Sequence, residues 1–147
     1  MEREEATEVI ADARLRLGKT WAELAEVAGR STVWTTSALL GQQAMPTEVA
    51  ERVGAALDLD EEVVKALERS PSKGALGDVI PTDPLLYRFY EIVQVYGTTL
   101  KELIHEEFGD GIMSAVDFEM EMERLPDPKG DRVKLTLHGK FLPYRVW

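Results

Sequence analysis

Up to residue 70, apolar residues recur every three or four positions in short runs that are repeatedly interrupted. This spacing is typical of amphipathic helices, and the interruptions carry residues that commonly begin or end helices. Thr20 and Glu23 have the spacing of a capping box at a helix start. Gly29 is placed to end that helix, and Ser31 is placed to begin the next one. The pattern predicts five short helices over residues 1–70.

A change of composition follows this helical part. Three prolines and two glycines fall within residues 71–84, and these residue types make regular secondary structure improbable. We therefore predict a linker there. Beyond it the helical spacing returns and predicts one helix at about residues 85–96 and another from residue 98 or 99 through residue 108.

The last quarter of the chain changes from a helical period to strict alternation, which is typical of strands. In the first strand the polar positions are Asp117, Glu119, Glu121 and Glu123, and the apolar ones are Phe118, Met120 and Met122. In the second strand the polar positions are Arg132, Lys134, Thr136 and His138, and the apolar ones are Val133, Leu135 and Leu137. We predict a hairpin whose acidic and largely basic faces pair, at ~0.2–1 kcal/mol per exposed pair.

A two-stranded ribbon is only marginally stable by itself. We therefore expect the apolar face of this hairpin to be covered by a second subunit. The chain as a whole is predicted to be an α+β protein, with a helical bundle over residues 1–70, a linker over residues 71–84, and a small domain of helix and two-stranded hairpin over residues 85–147.

Composition narrows the class of protein. Hydrophobic residues make up 44% and charged residues 30% of the 147 residues, a balance that is typical of a folded globular protein. No apolar run approaches the ~18–20 residues of a membrane helix, and the acidic start does not resemble a secretion signal, so a cytoplasmic location is expected. The absence of cysteine excludes disulfides, thiolate nucleophiles and zinc–thiolate sites.

Residues 20–45 have the pattern of a helix-turn-helix and resemble the repressor-like five-helix domain. A DNA-binding protein needs basic or amide side chains on the second helix of that motif. The segment Ser31 to Leu40 has no basic residue, and only Arg30 precedes it. The net charge of −10 also repels phosphate backbones. We expect a bundle used for packing, with a DNA-binding regulator as the alternative.

The chain has two histidines, and His105 lies beside two glutamates in a segment whose composition suggests a metal site. His105, Glu106 and Glu107 are consecutive, and consecutive residues of a helix point in different directions, so these three side chains cannot converge on one ion. His138 lies on the polar face of the second strand, where pairing with an acidic neighbour is expected. The sequence predicts no metal site.

Two other segments carry candidate chemistry. Arg88 and Glu91 are three apart on a helix that is otherwise apolar, which predicts partial burial of both charges. The same spacing is also consistent with an ion pair within the helix in which the two charges only neutralise each other and take no part in chemistry. Ser114 follows the glycine-bracketed turn at Gly109 and Gly111, where backbone N–H groups could face a small anion. With no histidine nearby as a base, this serine is predicted to donate a hydrogen bond rather than attack as a nucleophile.

These segments closely resemble the cyanase (cyanate hydratase, or cyanate lyase) family. The resemblance is carried by Y-R-F-Y-E-I-V-Q-V-Y-G-T-T-L-K-E-L-I-H-E-E-F-G-D-G-I-M-S-A-V-D-F, by A-L-L-G-Q-Q upstream and by G-K-F-L-P-Y near the end. It implies that Arg88, Glu91 and Ser114 are the catalytic residues, and that no cofactor or metal takes part. The implied reaction is the bicarbonate-dependent decomposition of cyanate to ammonia and carbon dioxide through carbamate.

The resemblance also implies an assembly. A homodecamer of five dimers is expected, in which the C-terminal strands interlock and the active sites lie between subunits. The expected partners are the anions cyanate and bicarbonate and further copies of the chain, with no nucleic acid and no membrane. A structural oligomer without catalysis is a third alternative, in which Arg88 and Glu91 serve packing only.

Overall fold

Five short helices form the N-terminal part of the computed structural model, which describes residues 1–74 and 79–147. They are α1 (Arg3–Arg16), α2 (Trp21–Ala28), α3 (Thr32–Leu39), α4 (Thr47–Ala56) and α5 (Glu61–Glu68). The five helices that the hydrophobic spacing predicts are thus confirmed. Residues 75–78 of the predicted linker lie outside the described residues, and its bounds stay a prediction.

The ends of α2 have the predicted chemistry. The hydroxyl oxygen of Thr20 accepts a hydrogen bond from the backbone N–H of Glu23 at 3.1 Å, and the Glu23 carboxylate accepts one from the backbone N–H of Thr20 at 2.7 Å. The carboxylate also accepts from the Thr20 hydroxyl at 3.0 Å. The bond from the Thr20 backbone N–H first, and the one from the hydroxyl second, lower the pKa of Glu23 below its ordinary value. Gly29 ends the helix with a left-handed φ of 65°, and Ser31 accepts from the N–H of Trp34 at 3.2 Å to begin α3.

The bundle is closed by apolar contacts and by an arginine that caps a helix end. Ile10, Leu24 and Leu67 are among the fully buried side chains of its core. Arg52 donates to the carbonyl oxygens of Val27 and Ala28 at 3.0 and 2.9 Å. Carbonyls at a helix C-terminus have no partner within the helix, so Arg52 joins α4 to the end of α2.

A single long helix, α6 (Pro84–Phe108), follows the linker. The prediction of two helices here is wrong, because the helix continues through Gly97 without a break. Glycine inside a helix costs only about 1 kcal/mol relative to alanine, and the φ of Gly97 is not left-handed. The start is well defined, since Asp83 accepts from the backbone N–H groups of Leu85 and Leu86.

The predicted hairpin is confirmed and is longer than the alternation indicated. Strands β1 (Gly111–Leu125) and β2 (Arg132–Pro143) form a two-stranded sheet. Glu123 faces Lys134 at 3.4 Å and Glu119 faces His138 at 3.4 Å, which confirms the expected pairing of an acidic with a largely basic face.

The chain divides into two compact units. The first holds helices α1 to α5 and the outer part of the hairpin, from Met120 to Leu135. The second holds α6, the start of β1 to Glu119, and β2 from Thr136 onward. None of the helices in the described parts of the chain is both long and apolar enough to span a membrane.

The capping box of α2 gives the first test. Thr20→Ala removes the oxygen that accepts from Glu23, and we expect the free energy of unfolding to fall by about 0.5–2 kcal/mol. Thr20→Ser keeps the oxygen and is the control. Denaturant unfolding at one fixed protein concentration measures both variants, and an equal loss in the two would show that the hydrogen bond does not stabilise the helix.

Candidate functional site

Arg88 and Glu91 form an ion pair on the second turn of α6. The Nη1 atom of Arg88 donates to Oε2 of Glu91 at 3.0 Å. Residues three apart on a helix share one face, and the cap at Asp83 fixes where that face begins. The structure therefore brings together two of the three candidate residues, in one orientation relative to the helix.

The expectation that both charges are partly buried holds for Glu91 but is wrong for Arg88 in the single chain. The Arg88 and Glu91 side chains are 64% and 45% exposed, because α6 has no buried residue among its 25 positions. Aromatic and aliphatic neighbours on the helix do not bury a charge unless another surface packs on them. An exposed ion pair of this kind contributes little to stability, at most about 1 kcal/mol.

Ser114 lies within β1 and not on the turn that the glycine spacing predicted. Gly109 ends α6 with a left-handed φ of 92°, and Gly111 is already the first residue of the strand. Ser114 is only 5% exposed, whereas Val116, two residues later, is almost fully exposed. The serine is thus held inside the strand and not presented on a loop.

Ser114 accepts two hydrogen bonds from its own strand. The backbone N–H groups of Val116 and Asp117 both donate to its Oγ, at 3.0 and 2.9 Å. A serine hydroxyl has two acceptor lone pairs and one O–H donor. Both acceptor positions are occupied here, so the remaining capacity of Ser114 is to donate its proton in a hydrogen bond.

These two bonds close a bulge in β1. Glu119 faces His138, while Gly111 lies against Leu142 and Pro143. The nine residues of β1 from Gly111 to Glu119 therefore match only five or six residues of β2 from His138 onward. The three or four extra residues of β1 must leave the regular ladder, and the segment from Ser114 to Asp117 is where they do so.

Three contacts fix the base of the hairpin, on the side of this bulge where β1 begins. The backbone N–H of Tyr144 donates to the carbonyl of Asp110 at 3.0 Å, and the rings of Phe108 and Phe141 stack with centroids 5.1 Å apart. His105 Nε2 lies 3.3 Å from the carbonyl oxygen of Gly111. The end of α6 and the end of β2 thus hold the start of β1.

Ser114 is not joined to the other two candidates within one chain. Among the described residues, its hydroxyl oxygen bonds only to the amides of Val116 and Asp117, and Arg88 pairs only with Glu91. The sequence indicated the three residues but not the bulge that holds Ser114. An available signal was Gly139, a glycine inside an alternating strand pattern, which is typical of a bulge or a close backbone approach.

Metal ligation finds no support in the described residues. Nowhere in residues 1–74 and 79–147 do three acidic or histidine side chains gather closely enough to hold an ion. His105 lies against the carbonyl of Gly111, and His138 faces Glu119 across the hairpin, as expected for a strand histidine beside an acidic neighbour.

Comparison with known protein families covers nearly the whole chain. Residues 3–71 match the family described as "Cyanate hydratase, N-terminal". Residues 78–146 match the family described as "Cyanate lyase C-terminal domain".

Individual proteins are similar over their full lengths. The chain is 56% identical over 147 residues to a cyanate hydratase of Ralstonia pickettii and 56% identical to one of Dechloromonas aromatica, covering all of each chain. The crystal structure of cyanase from T. urticae superimposes with a TM-score of 0.83 at 38% identity. That superposition covers 94% of this chain and 96% of the other.

Proposed function

The chain belongs to the cyanase family, and we propose that it decomposes cyanate with bicarbonate to give ammonia and carbon dioxide. Bicarbonate attacks the cyanate carbon, one carbon dioxide leaves with uptake of a proton to give carbamate, and carbamate takes up a second proton and divides into ammonia and carbon dioxide. The geometric observation that supports this best is the Ser114 hydroxyl, whose only free capacity is to donate to an anion.

The main obstacle in this reaction is that two anions must meet. Their repulsion and their lost freedom of motion each oppose the reaction by several kcal/mol, and a preorganised site out of water can offset both. Arg88 supplies the permanent positive charge. Its planar guanidinium holds an oxyanion through two parallel N–H donors, which a lysine cannot do.

Ser114 donates to the second anion. A hydroxyl that already accepts two N–H bonds is polarised toward donation, and these bonds also fix the position of its oxygen before substrate arrives. Preorganised donors of this kind act where negative charge develops, without reorganising during the reaction. This role needs no base near the serine.

Glu91 has a different task, because a negative charge beside two anions would oppose their binding. Its contact with Arg88 at 3.0 Å holds the guanidinium in one orientation. We assign Glu91 to orienting Arg88 and to managing a proton of the reaction. With these three roles the chemistry is predicted to require neither a cofactor nor a metal ion. The cytoplasmic location likewise stays a prediction.

We propose that the complete site forms between subunits of a homo-oligomer. The large apolar residues of α6 that are exposed in the single chain are Leu85, Leu86, Phe89, Ile92, Val93, Val95, Tyr96, Leu100, Leu103 and Phe108. A patch of this size marks an interaction surface in a water-soluble protein. Packing a second copy on α6 would bury Arg88 and Glu91 and bring a Ser114 to them, within an assembly of five dimers whose strands interlock.

Removing bicarbonate tests the reaction itself. Bicarbonate is a substrate here, so ammonia release from cyanate should nearly cease in buffer purged of carbon dioxide and bicarbonate at fixed pH. Adding bicarbonate should restore it saturably, and each anion at high concentration should inhibit by occupying the site of the other. Undiminished ammonia release in purged buffer would instead indicate simple hydrolysis.

Substitution of the arginine tests the site. Arg88→Lys keeps the charge but loses the planar pair of donors, and we expect turnover to fall at least ~10²-fold, the usual effect of removing one oriented donor. Arg16→Lys on α1 is the control, since Arg16 lies at the end of a helix in the other unit. Near-native turnover in Arg88→Lys would exclude Arg88 from catalysis.

Light scattering across a dilution series tests the assembly. Because the apolar face of α6 and the hairpin would be exposed in a monomer, we expect folding and association to be inseparable and activity to be lost with dissociation. A stable and active monomer would show that the site is complete in one chain.

A further inference from the structure

Gly139 lies on β2 directly against the bulge of β1. A methyl group in place of its hydrogen would overlap the carbonyl oxygen of Ser114, would lie 2.9 Å from Cγ of Met113, and would lie 3.4 Å from the carbonyl oxygen of Asp117. Two of these three atoms belong to the backbone at the two ends of the bulge. At residue 139, β2 thus lies closer to the bulge than it could if that residue had a side chain.

Close approach, and not backbone conformation, is what requires glycine at this position. The φ of Gly139 is not among the left-handed values of this chain, so an alanine could adopt the same backbone angles. The atom that it would overlap is a main-chain oxygen, which cannot turn aside as a long side chain can. A side chain at residue 139 must therefore push the two strands apart at Ser114.

We propose that Gly139 is a positioning residue for the Ser114 hydroxyl. This inference rests on the proposed function, in which Ser114 donates to a substrate anion. By letting β2 lie against the carbonyls of Ser114 and Asp117, Gly139 keeps the bulge at the size at which the amides of Val116 and Asp117 both reach Oγ. Gly139 itself touches no substrate.

A small displacement is enough to matter. Separating the strands by the width of a methyl group moves the Ser114 backbone by about 1 Å, and a misplacement of that size costs roughly 10²-fold in rate. The same displacement lengthens the bonds from Val116 and Asp117, which start at 3.0 and 2.9 Å. Both effects act through the serine and leave Arg88 unchanged.

The test is Gly139→Ala in the full-length assembled protein, made alone and together with Ser114→Ala. We expect kcat for cyanate to fall about 10²-fold in the single variant. In the Ser114→Ala background, Gly139→Ala should change kcat by no more than about twofold. A change of that size is within the error of combining two mutations. A general loss of structure would lower kcat by the same factor in both backgrounds.

Gly130→Ala is the matched control. Gly130 lies in the loop of the same hairpin, and its added methyl group meets no atom within 4 Å, but its φ of 119° strains an alanine. This variant should lower the thermal midpoint while leaving kcat unchanged. It separates a loss of hairpin stability from a displacement of Ser114.

Hydrogen exchange gives a readout that does not depend on activity. The amides of Val116 and Asp117 should exchange faster in Gly139→Ala than in the wild type or in Gly130→Ala. Unchanged exchange, equal rate losses in both backgrounds, or failure of Gly139→Ala to assemble would each overturn the proposal. If the wild type does not decompose cyanate, the proposed function fails, and the exchange of the two amides still decides whether Gly139 holds the bulge.

Discussion

The exposed apolar surface of α6 is the constraint on which the proposed site depends. A 25-residue helix rich in leucine, isoleucine, valine and aromatic residues has no buried residue within its own chain, and the hydrophobic effect drives such a surface to find a partner. Arg88 and Glu91 lie on this same helix. Whatever covers α6 therefore also decides the dielectric around the ion pair, and with it the strength of every electrostatic interaction that the arginine makes.

Ser114 depends on a second constraint, which is a mismatch of register in the hairpin. The contact of Glu119 with His138 fixes the register of the two strands on one side of the bulge, and the close contact of Gly111 with the end of β2 fixes it on the other side. The extra residues between these points cannot join the regular ladder, and the Ser114 hydroxyl accepts hydrogen bonds from two amides of this segment. The two bonds that stabilise the bulge also occupy both acceptor positions of the serine, which can then only donate a hydrogen bond.

Local interactions were predictable from the sequence, and interactions between distant segments were not. The capping box at Thr20 and Glu23 and the pairing of Glu123 with Lys134 depend on residues whose spacing is visible in the chain. The continuity of α6 through Gly97 was missed because a glycine is compatible with both a helix and its end. The exposure of Arg88 depends on packing, which no local pattern specifies. The bulge at Ser114 depends on strand register, for which Gly139 was a sequence signal that did not indicate where on β1 the bulge lies.

The net charge of −10 opposes the binding of the two anions that are the proposed substrates. At physiological ionic strength, charges further apart than about 8 Å are largely screened. The acidic face of β1 is also partly neutralised by Lys134, which pairs with Glu123. In the proposed site the affinity for anions is therefore decided by the groups within direct reach of the substrates. There a permanent cation and a donor-only hydroxyl would outweigh one carboxylate that is already paired with the cation.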